Sequence, residues 1–234
     1  MLSFFTVLAS TTLAVLAAPA RRTDSYSAQC DLSSIVLKVD DPNFNFTFPD
    51  VAPRYVTLGL GTQNYTCSDE GKYVSSGARA ALFDTSCLAA NYPDAFSVAT
   101  STVFEVISQD PEGFVDAFVG GDWQQWAENT TYYEDAPVSL VGEHFFIKNA
   151  DGSISPRFQV NDEFVVGKLA QSTPAPDATK AVPWLELDGI DGTLANLFFR
   201  TNTQGGVAPT SCDPHVDTEE IVVPYVAGYD FYHI

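Results

Sequence analysis

His144 and Asp151 are the pair of side chains in this 234-residue chain whose types and spacing best suit proton chemistry. His144 stands in the run VSLVGEHFFIK (138–148), between Glu143 and Phe145, and Asp151 lies across the Asn149-Ala-Asp-Gly turn that follows. An imidazole titrates near neutrality, and a carboxylate that orients it makes a general base. The plainer reading is a histidine packed on a hairpin face, its ring nitrogens satisfied by a backbone or carboxylate group. The other histidines, His215 and His233, fall in a loop and at the C-terminal end and receive no role. With only three histidines and no C-x-x-C spacing among the cysteines, no metal centre is expected. Asp188 and Asp191, in LDGIDG, can offer oxygens to calcium, but they lack the further ligands of an EF-hand and read better as a pair of Asp-Gly turns.

A second group suits recognition. Arg200, Thr201 and Asn202 precede Gly205-Gly206, and two glycines there imply positive φ or close backbone approach, hence a tight corner where a polar pocket can form. The plainer alternative is a turn whose side chains only tie down the loop. Trp123 and Trp126, three apart in GGDWQQWAENT, can stack on a sugar, or simply cover one edge of the core; Trp184, in VPWLEL, reads as core.

Other chemistry lacks its motif. The nearest approach to G-x-G-x-x-G is Gly59-Leu-Gly61-Thr-Gln-Asn64, without the third glycine and followed by a strand-like segment, so no nicotinamide cofactor is expected. Neither G-x-S-x-G nor H-E-x-x-H occurs. The formal charge of −19 repels phosphate backbones and anionic lipid surfaces, which excludes nucleic acid as a partner, and its simplest role is solubility in an acidic external medium.

Residues 1–22 read as a leader. Leu2–Leu16 is apolar and uncharged, Val15 and Ala17 fit a signal-peptidase site, and Arg21-Arg22 forms a dibasic processing site. No later apolar run is long enough for a membrane-spanning helix, so a secreted, extracellular product without stable membrane insertion is expected. Cys30, Cys67, Cys87 and Cys212 then predict two disulfides, with all three connectivities open on spacing alone. Asn45, Asn64 and Asn129 head N-glycosylation sequons, each of which must reach the surface if used.

Positioning these groups falls to a β-rich framework. Strands are expected at SIVLKV (34–39), at 54–67 with a bulge at Gly59 or Gly61, and around Leu82 and Phe83. A hairpin is expected at 138–160, and further strands at 163–170, 182–188, 195–202 and 221–232. A helix over 92–109, with Phe96, Ala99, Val103 and Ile107 on one face and Pro111 ending it, and a second short helix or irregular stretch at 114–126, are the helical part. The fold class is mainly β: an antiparallel sandwich or barrel with one or two peripheral helices, forming a single domain over 23–234.

The blocks GTQNYTC (61–67), GEHFFIKNADGS (142–153), VPWLEL (182–187), RTNTQGGVAPTSC (200–212) and VPYVAGYDFY (223–232) resemble the domain of unknown function 3455 family, found in secreted proteins of fungi and in bacteria. The resemblance implies a β-rich extracellular domain without an established activity or defined catalytic residues. It also implies a Cys67–Cys212 bridge, which leaves Cys30 to Cys87. Some members carry a malate dehydrogenase label, to which the residues here lend no support. The expected function is a secreted, glycosylated, non-catalytic domain that binds an extracellular ligand such as a glycan. The alternatives are a small extracellular hydrolase built on His144 and Asp151, and a structural or host-interaction protein without a small ligand.

Overall fold

Along the last strand, Tyr225, Ala227, Tyr229 and Phe231 alternate with Val226, Gly228, Asp230 and Tyr232, and nearly all of both sets are buried. Alternate residues face opposite sides of a sheet, so this strand must lie between two layers. In the computed structural model, which describes residues 30–33, 35–37, 39, 45–121 and 138–234, the inner layer is the interior of a barrel. Eight antiparallel strands close on themselves in sequence order: β1 (Tyr55–Cys67), β2 (Tyr73–Asp84), β3 (Ser139–Lys148), β4 (Ile154–Val160), β5 (Glu163–Thr173), β6 (Trp184–Gly192), β7 (Leu197–Gly205) and β8 (Ile221–Tyr232). β8 pairs with both β7 and β1, which completes the barrel. Side chains fill an eight-stranded interior, and here Phe158, Phe198, Phe231, Tyr225 and Tyr229 supply much of the bulk.

The outer layer has two parts. Between β2 and β3 run α1 (Ser86–Asn91), α2 (Pro93–Ser97), α3 (Ala99–Ile107) and α4 (Pro111–Gly120). Ile107, Phe114 and Phe118 of α3 and α4 pack on Leu58, Leu60, Phe83 and Val226 of the wall. The described residues before β1 form a strap, whose Leu37, Val39, Phe46 and Phe48 pack on Trp184, Phe199 and Tyr232. Cys30–Cys87 fastens the strap to α1, and Cys67–Cys212 fastens the end of β1 to the β7–β8 connection, the pairing that the family resemblance implies.

Several local expectations give way to tertiary context. The described residues of 34–39 form no strand: a closed barrel leaves no free edge to pair with, and Leu37 and Val39 bury side chains instead. LDGIDG is strand, not turn, because β6 continues through it paired with β5, Lys168 opposite Asp188 and Val165 opposite Gly192, with Ile190 as a bulge between. β1 carries no bulge at Gly59 or Gly61: its pairing with β8 is regular, and the one shift against β2 comes from an extra β2 residue, Ser76, opposite Asn64/Tyr65. The 92–109 helix breaks at Val98, whose φ of −109° and ψ of 2° are not helical. Pro111 begins α4 rather than ending a helix: Asp110 caps the new helix by accepting from the Gly113 amide at 3.0 Å.

Gly59 is fixed by packing. A Cβ there would lie 2.5 Å from the Tyr229 ring. Gly59→Ala should therefore cost about 1–3 kcal/mol by overpacking. In a urea-denaturation double-mutant cycle with Tyr229→Leu the two costs should be strongly non-additive, because the smaller side chain removes the clash; additivity would contradict this assignment.

Candidate functional site

The 200–206 corner is where the barrel wall departs from regular pairing. The β7–β8 register shifts between Thr201 and Gln204, and Asn202 sits there at φ 49°, a conformation asparagine tolerates better than most residues. Gly205 and Gly206 both have positive φ, and a Cβ on Gly205 would come within 2.3 Å of the Phe104 ring. The expected requirement for glycine is met on both counts.

The wall then sorts the predicted recognition residues onto two faces. Arg200 is opposite Tyr229 in register and turns inward, toward Tyr225, Tyr229 and His144, while Nε and Nη2 donate to the Pro183 carbonyl at 3.2 and 2.8 Å. Thr201 and Asn202 instead line an outer chamber of about 30 Å³ between the wall, the strap, α2 and α3. At its wall stands Asp230, 4% exposed. The Thr201 hydroxyl stabilises its charged form, but Oδ1 has no hydrogen-bond partner among the described residues. Burial pushes the Asp230 carboxyl up to about 7, against a smaller downward pull from Thr201. The resulting group is a carboxyl that changes charge near neutrality, which an ordinary surface aspartate does not do.

Adjoining the chamber is a cleft of about 690 Å³, within the size range of small-molecule sites. The two share Leu37, Val39, Phe96, Thr100 and Asn202 as walls. Thr203 and Gln204 of the corner also line the cleft, and Asp177 and Lys180, paired at 3.2 Å, stand on its side. A concave space therefore does lie beside the 200–206 corner, on the outer face of the barrel.

His144 is elsewhere. It is 3% exposed inside the barrel, stacked on Phe158 with ring centroids 3.9 Å apart and planes 4° apart. Its Nδ1 lies 3.0 Å from the Arg157 carbonyl, an acceptor only, so Nδ1 carries the proton. Burial, with the Arg200 charge adding to it, holds the imidazole down at about 3, so the ring is neutral. Asp151 is exposed at the β3–β4 turn and binds the amide and hydroxyl of Ser153. The distance from His144 to the end of β3 alone is roughly 13 Å along the strand. The carboxylate–imidazole pair expected for a hydrolase is not assembled, because a strand that buries His144 carries the turn away from it.

Among the described residues no group of three or more His, Cys, Asp or Glu side chains is placed to hold a metal ion, and no helix is long and apolar enough to cross a membrane. Asn45 is exposed. Asn64 is half-buried, donating to Glu220 Oε1 at 2.9 Å and accepting from Thr62 at 3.0 Å, so a glycan on Nδ2 would compete with the Glu220 contact. Trp123, Trp126, Asn129 and the proposed leader lie outside the described residues.

A family model described as protein of unknown function (DUF3455) matches residues 49–233. The chain belongs to this family. No curated protein and no solved structure matches it. The DUF3455 match spans the eight strands and four helices of the described residues, whereas the strap residues Leu37, Val39, Phe46 and Phe48 precede it. Two walls of the cavities thus have different standing: the barrel and helices are the family domain, and the strap lies ahead of it.

Asp230 is the site residue that motif reading passes over. The signal available was one acidic residue in the otherwise apolar run IVVPYVAGYDFY. It becomes informative once both faces of β8 are known to be covered.

The two buried titratable groups make opposite contributions to stability. Asp230 is raised from 3.8 to about 7, so its contribution is fully present below about pH 4 and is lost as pH rises through 7. His144 is lowered from 6.5 to about 3, so its contribution is present above pH 6.5 and is lost as pH falls through 3. Between about pH 4 and 6.5 the two slopes cancel. Asp230→Asn should expose the His144 slope, with unfolding free energy rising by about 1.4 kcal/mol per pH unit. His144→Phe should expose the opposite slope. Urea denaturation of both variants across this pH range checks the pair; parallel pH profiles would refute it.

Proposed function

We propose that this protein is a secreted, glycosylated binding protein of the extracellular medium, and that its cleft takes a small hydroxyl-bearing ligand such as the end of a glycan. The observation that carries this reading is Asp230: a buried carboxyl with an unpartnered acceptor, on the wall of a chamber next to a cleft of ligand size. A stable scaffold rarely leaves a buried polar atom unmatched without a use for it. A ligand O–H or N–H donor matches such an acceptor. The even cysteine count, both bridges and the leader-like N-terminus support an oxidising, extracellular setting. The family match, which carries no activity of its own, leaves the reading to stand on the site.

The test is a glycan array and a small-sugar calorimetric panel with oxidised protein lacking residues 1–22. Saturable binding that weakens at least tenfold in Asn202→Gly, which removes a side chain from the shared wall of cleft and chamber and keeps the positive φ, is the expected outcome. Binding indifferent to that variant would move the site away from the cleft. Absence of binding to the whole panel would favour a structural or host-interaction role.

A further inference from the structure

We propose that the group seated against Asp230 is a primary ammonium, so that the ligand class is a small amine, such as an amino sugar or an alkylamine, rather than a neutral sugar. The proposal rests on the binding reading of the cleft and adds the chemistry of its deepest contact.

The polar floor of the chamber is one-sided, while Thr100 and Asn202 stand on the walls it shares with the cleft. Thr57 Oγ1 donates its single proton to the Tyr229 carbonyl at 3.1 Å, and Thr85 Oγ1 donates to the Val56 carbonyl at 3.1 Å. The hydroxyl of Thr201 is engaged with Asp230 itself. Thr57 and Thr85 can then offer only lone pairs, and Asp230 adds the unpartnered Oδ1. An ammonium has three donors and no acceptor, the complement of such a set. A hydroxyl has one donor and would leave acceptors unmatched.

Charge points the same way. Among the described residues that line the chamber, from the strap, β1, the β2–α1 turn, α2, α3, β7 and β8, Asp230 is the single titratable side chain. Tyr232, the neighbouring group it acts on electrostatically, is neutral. Arg200 and His144 face the interior on the other side of the wall, and Lys180, the cation among the described residues that line the cleft, is already paired with Asp177. A buried carboxylate without a countercharge is costly, and a ligand cation supplies one. The chamber, at about 30 Å³, suits an ammonium with its first methylene, while the rest of the ligand occupies the 690 Å³ cleft. A chain with a net charge of −19 also draws cations toward its surface.

The experiment titrates the oxidised protein with glucosamine, N-acetylglucosamine, glucose and hexylamine by calorimetry, in parallel with Asp230→Asn checked for fold by circular dichroism. The amines should bind at least tenfold more tightly than the two neutral sugars. Their affinity should fall by up to tenfold per pH unit below about pH 7, where the proton competes for the carboxylate. Asp230→Asn should abolish the amine preference and flatten the pH profile. Neutral sugars binding as well as amines, unaffected by Asp230→Asn, would overturn the ammonium assignment and leave the binding reading intact. No binding by any of the four probes, with a water alone against Oδ1 in a crystal structure, would overturn both.

Discussion

Closure of the barrel through β8 is the constraint on which the other features depend. To join β1 to β7, β8 must place four alternate side chains, three of them aromatic, into an interior that seven other strands also fill. Gly59 on β1 yields the space that Tyr229 takes, and Gly167 on β5 does the same for Phe198. With the interior occupied, a cavity large enough for a ligand has to lie outside the wall. The same strand carries Val226, Asp230 and Tyr232 on its outer face, and these need a cover. α3 and α4 cover one part and the strap covers another, so Asp230 lies at the seam between two covers. The site is thus a consequence of how the second layer is made from two pieces that do not meet perfectly.

His144 and Asp230 illustrate how one wall can hold two buried ionisable groups without a steep pH dependence. His144 lies on the inner side of the barrel and Asp230 on the outer side, and they do not touch. Burial destabilises the charged form of each, which means opposite directions for an acid and a base. Each alone would tilt stability by about 1.4 kcal/mol per pH unit over part of the acid range. Together they leave it level across the interval where both are neutral in the folded state and both are charged in the unfolded chain. For a protein read as working in an acidic external medium, such a plateau removes a cost that either group alone would impose.

Much of this architecture is legible locally. The β3–β4 hairpin follows from Asn149-Ala-Asp-Gly between two alternating runs, and Gly205-Gly206 announces a corner that the structure places beside both cavities. What failed did so for identifiable reasons. Asp188-Gly189 and Asp191-Gly192 carry the same local turn signal as the genuine hairpin, but pairing with β5 overrides it. Alternation in SIVLKV reports that Leu37 and Val39 need burial, not whether a neighbouring strand or the outside of a barrel provides it. Asp230 was hidden by the same limit. Periodicity marks its neighbours as core, but whether its own face meets solvent depends on helices and a strap more than a hundred residues away in sequence.

That separation also bears on specificity. The matched family domain supplies Asp230, Thr57, Thr85 and Thr201, the polar floor of the chamber, whereas Leu37, Val39 and Phe48 come from the strap that precedes it. The polar contact and the apolar enclosure therefore arise from different parts of the chain, joined covalently by Cys30–Cys87. A floor fixed in rigid strands can hold one reacting or recognising group in constant geometry, because β7 and β8 are locked on both sides by pairing. An enclosure built on a tethered strap can change in shape without disturbing those strands. The chemistry of the head group would then be a property of the barrel, and the size and polarity of the rest of the ligand a property of the strap.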